Sequence, residues 1–271
     1  MGVKLLLLGS PFGLLFLALC FRYWEKTILA IPFWLLLEGA ARKWLFPEYH
    51  IEIYFVKDVI LAAAFLHFVM LRLTGKLKRH TTLKVYDFFF LLLIIWCVLE
   101  LFNPAVPNFW VSVMGMKIHL FYALLLYAMP YIFKTKQEVV NYLRLYVFCS
   151  LPLLIVGIIQ FFSPPGSFIT RSLSWGETIE YTSFGGSGLF GDRVRITSTF
   201  AYLTEYSGYL TVLSMILLPL IQVRHLKGRS LLYPLSALAG VNLMMTGSRA
   251  PILFISLGSM FFFFLSGVIS I

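Results

Sequence analysis

Charge is scarce in this sequence. Asp, Glu, Lys and Arg make up 13% of the 271 residues, against about 25% in soluble domains. A water-soluble globule needs polar side chains to clothe its surface, and this chain holds too few. Cysteine is scarce as well. Cys20, Cys97 and Cys149 all lie inside apolar runs, which suits small buried residues and not disulfide partners or metal ligands. His50, His67, His80, His119 and His225 are scattered without metal-ligand spacing. A Gly-x-Ser-x-Gly nucleophile elbow is absent. No metal and no cofactor is therefore expected.

What fills the chain instead is apolar. Hydrophobic residues reach 60%, phenylalanine alone occurs 27 times, and the mean hydropathy is +0.87. Disordered chains are poor in aromatics, so disorder is excluded. The composition predicts an all-α, polytopic integral membrane bundle in a single domain over residues 1–271. Basic residues outnumber acidic ones 22 to 12. In a membrane chain that excess belongs in short cytoplasmic loops, so nucleic acid is not expected as a partner.

About nine apolar segments can be read: Lys4–Cys20, Thr27–Leu45, Ile53–Leu73, Tyr86–Phe102, Val113–Phe133, Val139–Phe162, Ser198–Ile221, Leu231–Met245 and Pro251–Ile271. Most approach the ~20 residues of a helical span, and the alternation of a membrane barrel is missing. Basic loops follow the third segment (Arg72, Lys76, Lys78, Arg79, Lys84), the fifth (Lys134, Lys136) and the seventh (Arg224, Lys227, Arg229). All three are odd-numbered, which places them on one side, assigned to the cytoplasm. The even-numbered loops then face outward. Lys4 with its Leu-rich run resembles a signal peptide, but no small-residue cleavage site follows, so retention as a helix or half-inserted hairpin is expected. The uncharged loop Asn103–Ser112 and the stretch Ser163–Thr197, about 35 residues long, both fall outside. Loops of the second length are usually functional or disordered.

Charges inside or beside apolar segments need a reason, because an ionised group at the bilayer centre costs about 2.5–3.5 kcal/mol. Glu38 and Arg42 are four residues apart and share a helix face, while Lys43 and Trp44 suit interfacial anchoring. The competing reading has Arg42 and Lys43 holding an anion. Lys57-Asp58 is expected to be a structural pair. Arg193 and Arg195 stand just ahead of the seventh segment, where the helix dipole disfavours cations and favours anions. Thr197 or Ser198 suits the cap, Thr199 lies beside them, and Glu205 is placed to pair with one of the arginines. Pairing of Arg193 with Asp192 is the plainer alternative. Ser248-Arg249-Ala250-Pro251 repeats the pattern at the ninth segment, with Ser248 or Gly247 as cap. Two arginines at outward helix starts point to a shared anionic ligand. Gly186–Gly191 matches the dinucleotide fingerprint only in letters, since no strand precedes it in a βαβ unit. Trp110, Trp175 and Tyr181 suit interfacial anchoring better than sugar stacking.

The elements Arg195-Ile196-Thr197-Ser198-Thr199-Phe200 and Thr246-Gly247-Ser248-Arg249-Ala250, separated by a helix and a basic loop, resemble the motifs of the O-antigen ligase/polymerase family. Glu38-Gly39-Ala40-Ala41-Arg42-Lys43-Trp44 followed by Lys57-Asp58 is similar to that family's amino-terminal region. The resemblance implies a multi-pass enzyme of the bacterial inner membrane, active on the periplasmic face. Its partners would be an undecaprenyl pyrophosphate-linked glycan and a lipid or glycan acceptor. Arg195 and Arg249 would bind the pyrophosphate, joined by Arg193 and Arg42 and supported by Glu205, Thr199 and Ser248. Ligase and polymerase share this chemistry and are not separated. The chain departs from the family pattern in Ala250-Pro251, where glycine is usual, and stops before the later loop that carries the family's histidine base. A truncated product and an unassigned base are therefore expected. A small-solute transporter and a non-enzymatic or inactive membrane subunit are the alternatives.

Overall fold

The computed structural model describes residues 10–77, 84–103, 108–173, 179–180, 193–223 and 225–269. It is all-α apart from one two-residue antiparallel pair, β1 (Ser172–Leu173) and β2 (Ile179–Glu180), with Ser172 opposite Glu180. The helices are α1 (Pro11–Arg22), α2 (Trp24–Ala40), α3 (His50–Leu73), α4 (Lys84–Leu101), α5 (Phe109–Ala123), α6 (Leu125–Ile132), α7 (Lys136–Cys149), α8 (Leu151–Phe162), α9 (Leu203–Gln222), α10 (Arg229–Thr246) and α11 (Arg249–Ile269). Each apolar segment read from the sequence contains helix. The fifth is divided into α5 and α6, and the sixth into α7 and α8, where Pro152 opens the second helix.

Four stretches are long and apolar enough to cross a membrane: Pro47–Leu73, Phe109–Ile132, Lys136–Phe162 and Leu203–Gln222. Large apolar side chains such as Phe88, Trp96, Phe109, Leu253 and Phe261 stand exposed on the bundle. Water would penalise such a surface and lipid would not. Local sequence sets the helix ends. Ser10 accepts the Gly13 N–H at 3.2 Å with Pro11 in the first turn. Asn108 caps α5, and Thr135 caps α7 while Glu138 accepts the Lys134 N–H at 2.9 Å. Gly247 ends α10 in the left-handed region (φ 65°), which a side chain would disfavour.

Two cores hold the bundle. One joins α2, α3 and α6 through Trp24, Ile28, Leu61, Phe65 and Ala128. The other surrounds α9 and joins it to α7, α8 and α10 through Leu154, Tyr206, Leu210, Leu213 and Leu232. The end of α2, the α8–α9 connection and the end of α10 meet at one end, called here the upper end: Gly39 lies against the backbone of residues 199–201, Gln160 binds Thr197 and Ser198, and the Ile196 N–H reaches the Met245 carbonyl. The basic connections that carry Arg72 and Lys76, Lys134 and Lys136, and Lys227 and Arg229 stand at the far ends of α3, of α7–α8, and of α9 and α10, called here the lower end.

Residues 193–202 depart from expectation. The seventh segment was expected to turn helical at Ser198, with Thr197 or Ser198 as cap. Instead α9 starts at Leu203 with Tyr202 at its cap position. The preceding stretch is irregular yet deeply buried, from Val194 at 1% exposed through Ile196 and Ser198 at 0%. Ser198 itself has φ 50°. The reason is a side chain on another helix. Gln160 on α8 accepts the backbone N–H groups of Thr197 at 2.8 Å and Ser198 at 2.7 Å. Those bonds supply what a helical turn would have supplied. Non-helical backbone survives among apolar helices where protein buries and satisfies it.

Candidate functional site

The buried segment 194–201 is the hub of the upper end. Gly39 on α2 faces it so closely that a Cβ there would sit 2.6 Å from the Phe200 Cα, so only glycine permits this approach. The Thr199 hydroxyl donates to the Leu36 carbonyl at 2.8 Å, and the Ser198 hydroxyl donates to the Leu153 carbonyl at 2.6 Å. Lys43 extends from the π-helical turn Ala41–Leu45 that continues α2. Its ammonium is wholly buried, donating to Thr197 Oγ1 at 2.9 Å and to the Ser198 carbonyl. Lys43 is thus neither an interfacial snorkel nor an anion ligand, and Thr199 serves the segment's packing.

Arg195 leaves this segment toward α10. Its Nε donates to the Thr246 carbonyl at 2.7 Å, and a terminal nitrogen lies 3.4 Å from Ser248 Oγ. The Ile196 N–H reaches the Met245 carbonyl at 3.4 Å. The two arginine-bearing elements, some fifty residues apart in sequence, therefore meet. Burial pulls the Arg195 pKa below its ordinary value, yet a guanidinium stays charged. Ser248 immediately precedes α11, and its N–H is held by Thr246 Oγ1 at 3.2 Å. Arg249 opens α11 with its side chain exposed, and it makes no ion pair among the described residues. Arg193 lies across the Phe161 and Phe162 rings, 5.7 and 5.4 Å from their centroids, and reaches the Phe161 carbonyl at 3.5 Å. Asp192, its expected alternative partner, lies outside the described residues, as do Trp175, Tyr181 and Gly186–Gly191.

Arg42 keeps the expected Glu38 pairing and is not free to hold an anion. It is buried between two carboxylates, Glu38 at 3.6 Å and Glu205 at 3.7 Å, and donates to the His50 carbonyl at 3.2 Å. Tyr54 and Tyr202 flank its guanidinium at 5.1 and 5.5 Å. Glu205 thus pairs with Arg42 and not with Arg193 or Arg195, and its other oxygen accepts the Tyr202 N–H at 3.3 Å. Lys57 and Asp58 do not pair with each other. Lys57 binds Glu38 at 2.9 Å, and Asp58 takes Lys117 at 2.5 Å and the Tyr122 hydroxyl at 2.7 Å. Alternating charge thus links α9, α2, α3 and α5.

This network floors a cleft of about 460 Å³ between α3, α5 and the start of α9. One wall is polar, with Arg42, Lys117, Thr204 and Glu205; the other is apolar, with Ile51, Phe55, Met114 and Ile118. Sequence reading missed Lys117, Tyr54 and Tyr202. A lone lysine in the first turns of the fifth apolar segment was the available signal, since an intramembrane cation requires a partner. Among the described residues no group of three or more His, Cys, Asp or Glu side chains is arranged to hold a metal ion. No protein-family model, curated protein or solved structure matches the chain.

Proposed function

We propose that the chain is a multi-pass protein of the bacterial inner membrane, of the O-antigen ligase/polymerase type. Its upper end faces the periplasm and seats the diphosphate of an undecaprenyl-linked glycan. The observation that carries this reading is the junction of Arg195 with Thr246 and Ser248, which sets the exposed Arg249 guanidinium beside the segment bearing Arg193 and Arg195. Arg249 is the direct phosphate ligand, because a guanidinium offers several donors to phosphate oxygens. Arg195 is a positioning residue that fixes the 246–248 turn. Arg42 is neutralised by Glu38 and Glu205, so it shapes the neighbouring cleft and does not grip the diphosphate.

In the transfer itself an acceptor hydroxyl oxygen bonds to the anomeric carbon and loses its proton to water, and the bond from that carbon to the phosphate oxygen breaks with its electron pair staying on the phosphate. Negative charge grows on the departing lipid diphosphate, where a fixed cation stabilises it. The basic lower end, with its three lysine- and arginine-bearing connections, supports the orientation. An inactive subunit or a transporter would use the same fold without this charge stabilisation.

The test is binding of undecaprenyl diphosphate to the purified full chain in nanodiscs. Arg249→Ala should weaken binding about tenfold or more, the worth of a charge-assisted bond. Arg195→Ala should weaken it through loss of the turn, and Lys227→Ala at the lower end should leave it unchanged. Wild-type affinity in both Arg249→Ala and Arg195→Ala would overturn the reading.

A further inference from the structure

A cavity of about 800 Å³ lies at the lower end, away from the diphosphate site. Its floor is Phe65 and Phe68 of α3, both buried, and its rim includes Val69, Leu73 and Leu124, which are exposed. The volume falls within the range of ligand pockets, about 300–1,000 Å³. A cavity with exposed apolar rims in a membrane-spanning bundle opens sideways to lipid. Among the described residues one cation, Arg72, lines it. Arg72 is exposed at the end of α3 and makes no ion pair among the described residues. Tyr127 also lines the cavity, with its hydroxyl donated to Asp87 at 2.9 Å.

The surroundings are basic. The α1–α2 turn carries exposed Arg22 and Lys26, and Trp24 of that turn packs on Phe68 at 5.2 Å. Lys76 follows Arg72 and is exposed as well. Among the described residues of these elements, Glu25 and Asp87 stand against four cations, Arg22, Lys26, Arg72 and Lys76. The ligand that fits is amphipathic and carries net negative charge: apolar chains for the Phe65–Phe68 floor, and a phosphodiester for Arg72. Basic pockets between spanning helices on the cytoplasmic side hold such headgroups.

We propose that this cavity is a binding site for an anionic glycerophospholipid, phosphatidylglycerol, with its phosphodiester on Arg72 and an acyl chain along Phe65, Phe68 and Val69. The site rests on the membrane orientation proposed above and not on the diphosphate site.

The purified full chain is titrated with dioctanoyl phosphatidylglycerol and dioctanoyl phosphatidylcholine, with bound lipid counted by native mass spectrometry. Phosphatidylglycerol should bind the wild type more tightly than phosphatidylcholine. Arg72→Gln should weaken phosphatidylglycerol about fivefold, the contribution of one cation near an anionic headgroup. Val69→Trp, or Leu124→Trp if the first variant fails to fold, should block binding by filling the cavity. Leu92→Trp, an equally exposed apolar position elsewhere, should not. Equal affinity for the two lipids overturns the proposal, and so does unchanged binding in Arg72→Gln. Loss in Arg72→Gln with none in the cavity-filled variants also overturns it, since that pattern belongs to a surface contact outside the cavity.

Discussion

Gln160 shows how one side chain can decide a local structure. It is wholly buried, its carbonyl oxygen takes two backbone N–H groups, and its amide nitrogen donates to the Ile169 carbonyl at 2.9 Å. Leucine has nearly the same volume and none of these bonds. Gln160→Leu would orphan two buried donors at about 1–3 kcal/mol each. The expected outcome is a clear fall in thermal stability in detergent, measured by size exclusion after heating. Gln137→Leu, on the exposed face of α7, should change little. Lys43 and Arg42 teach a related lesson. Both were legible as charges that need a reason, but their partners, Thr197, Ser198 and Glu205, lie more than 150 residues further along the chain. Spacing within a helix revealed Glu38 with Arg42. It carried no information about pairs made between helices.

At the level of elements, helix existence followed directly from apolar run length, and all nine runs contain helix. The start of α9 did not. The sequence Thr197-Ser198-Thr199 looks like a cap because hydroxyl side chains favour helix starts. Tertiary bonds from Gln160, Lys43 and Leu36 captured those residues in an irregular turn instead. The fit between α2 and that turn rests on Gly39. Gly39→Val would drive a side chain into the backbone of residues 199–201. The variant should lose the monodisperse folded species on size exclusion, whereas Gly208→Ala, with open space around it, should retain it. A folded Gly39→Val protein of wild-type stability would mean that α2 and the turn do not pack as described.

Across the whole molecule, charge separates the two ends. The lower end collects basic connections, and to the three read from the sequence the structure adds the Arg22–Lys26 turn beside Phe68. The upper end gathers the buried charge network and the Arg195–Ser248–Arg249 junction. The all-α class was accessible from pattern alone, because hydropathy is a local property. The division of labour among the cations was not, because burial and partner choice depend on packing. The most direct measurement is cysteine accessibility in intact cells, in a background where Cys20, Cys97 and Cys149 are replaced by serine. Arg249→Cys should react with a membrane-impermeant maleimide from outside, and Lys76→Cys should react only after permeabilisation. Labelling of both positions from the same side, or of position 249 only after permeabilisation, would contradict an outward-facing diphosphate site.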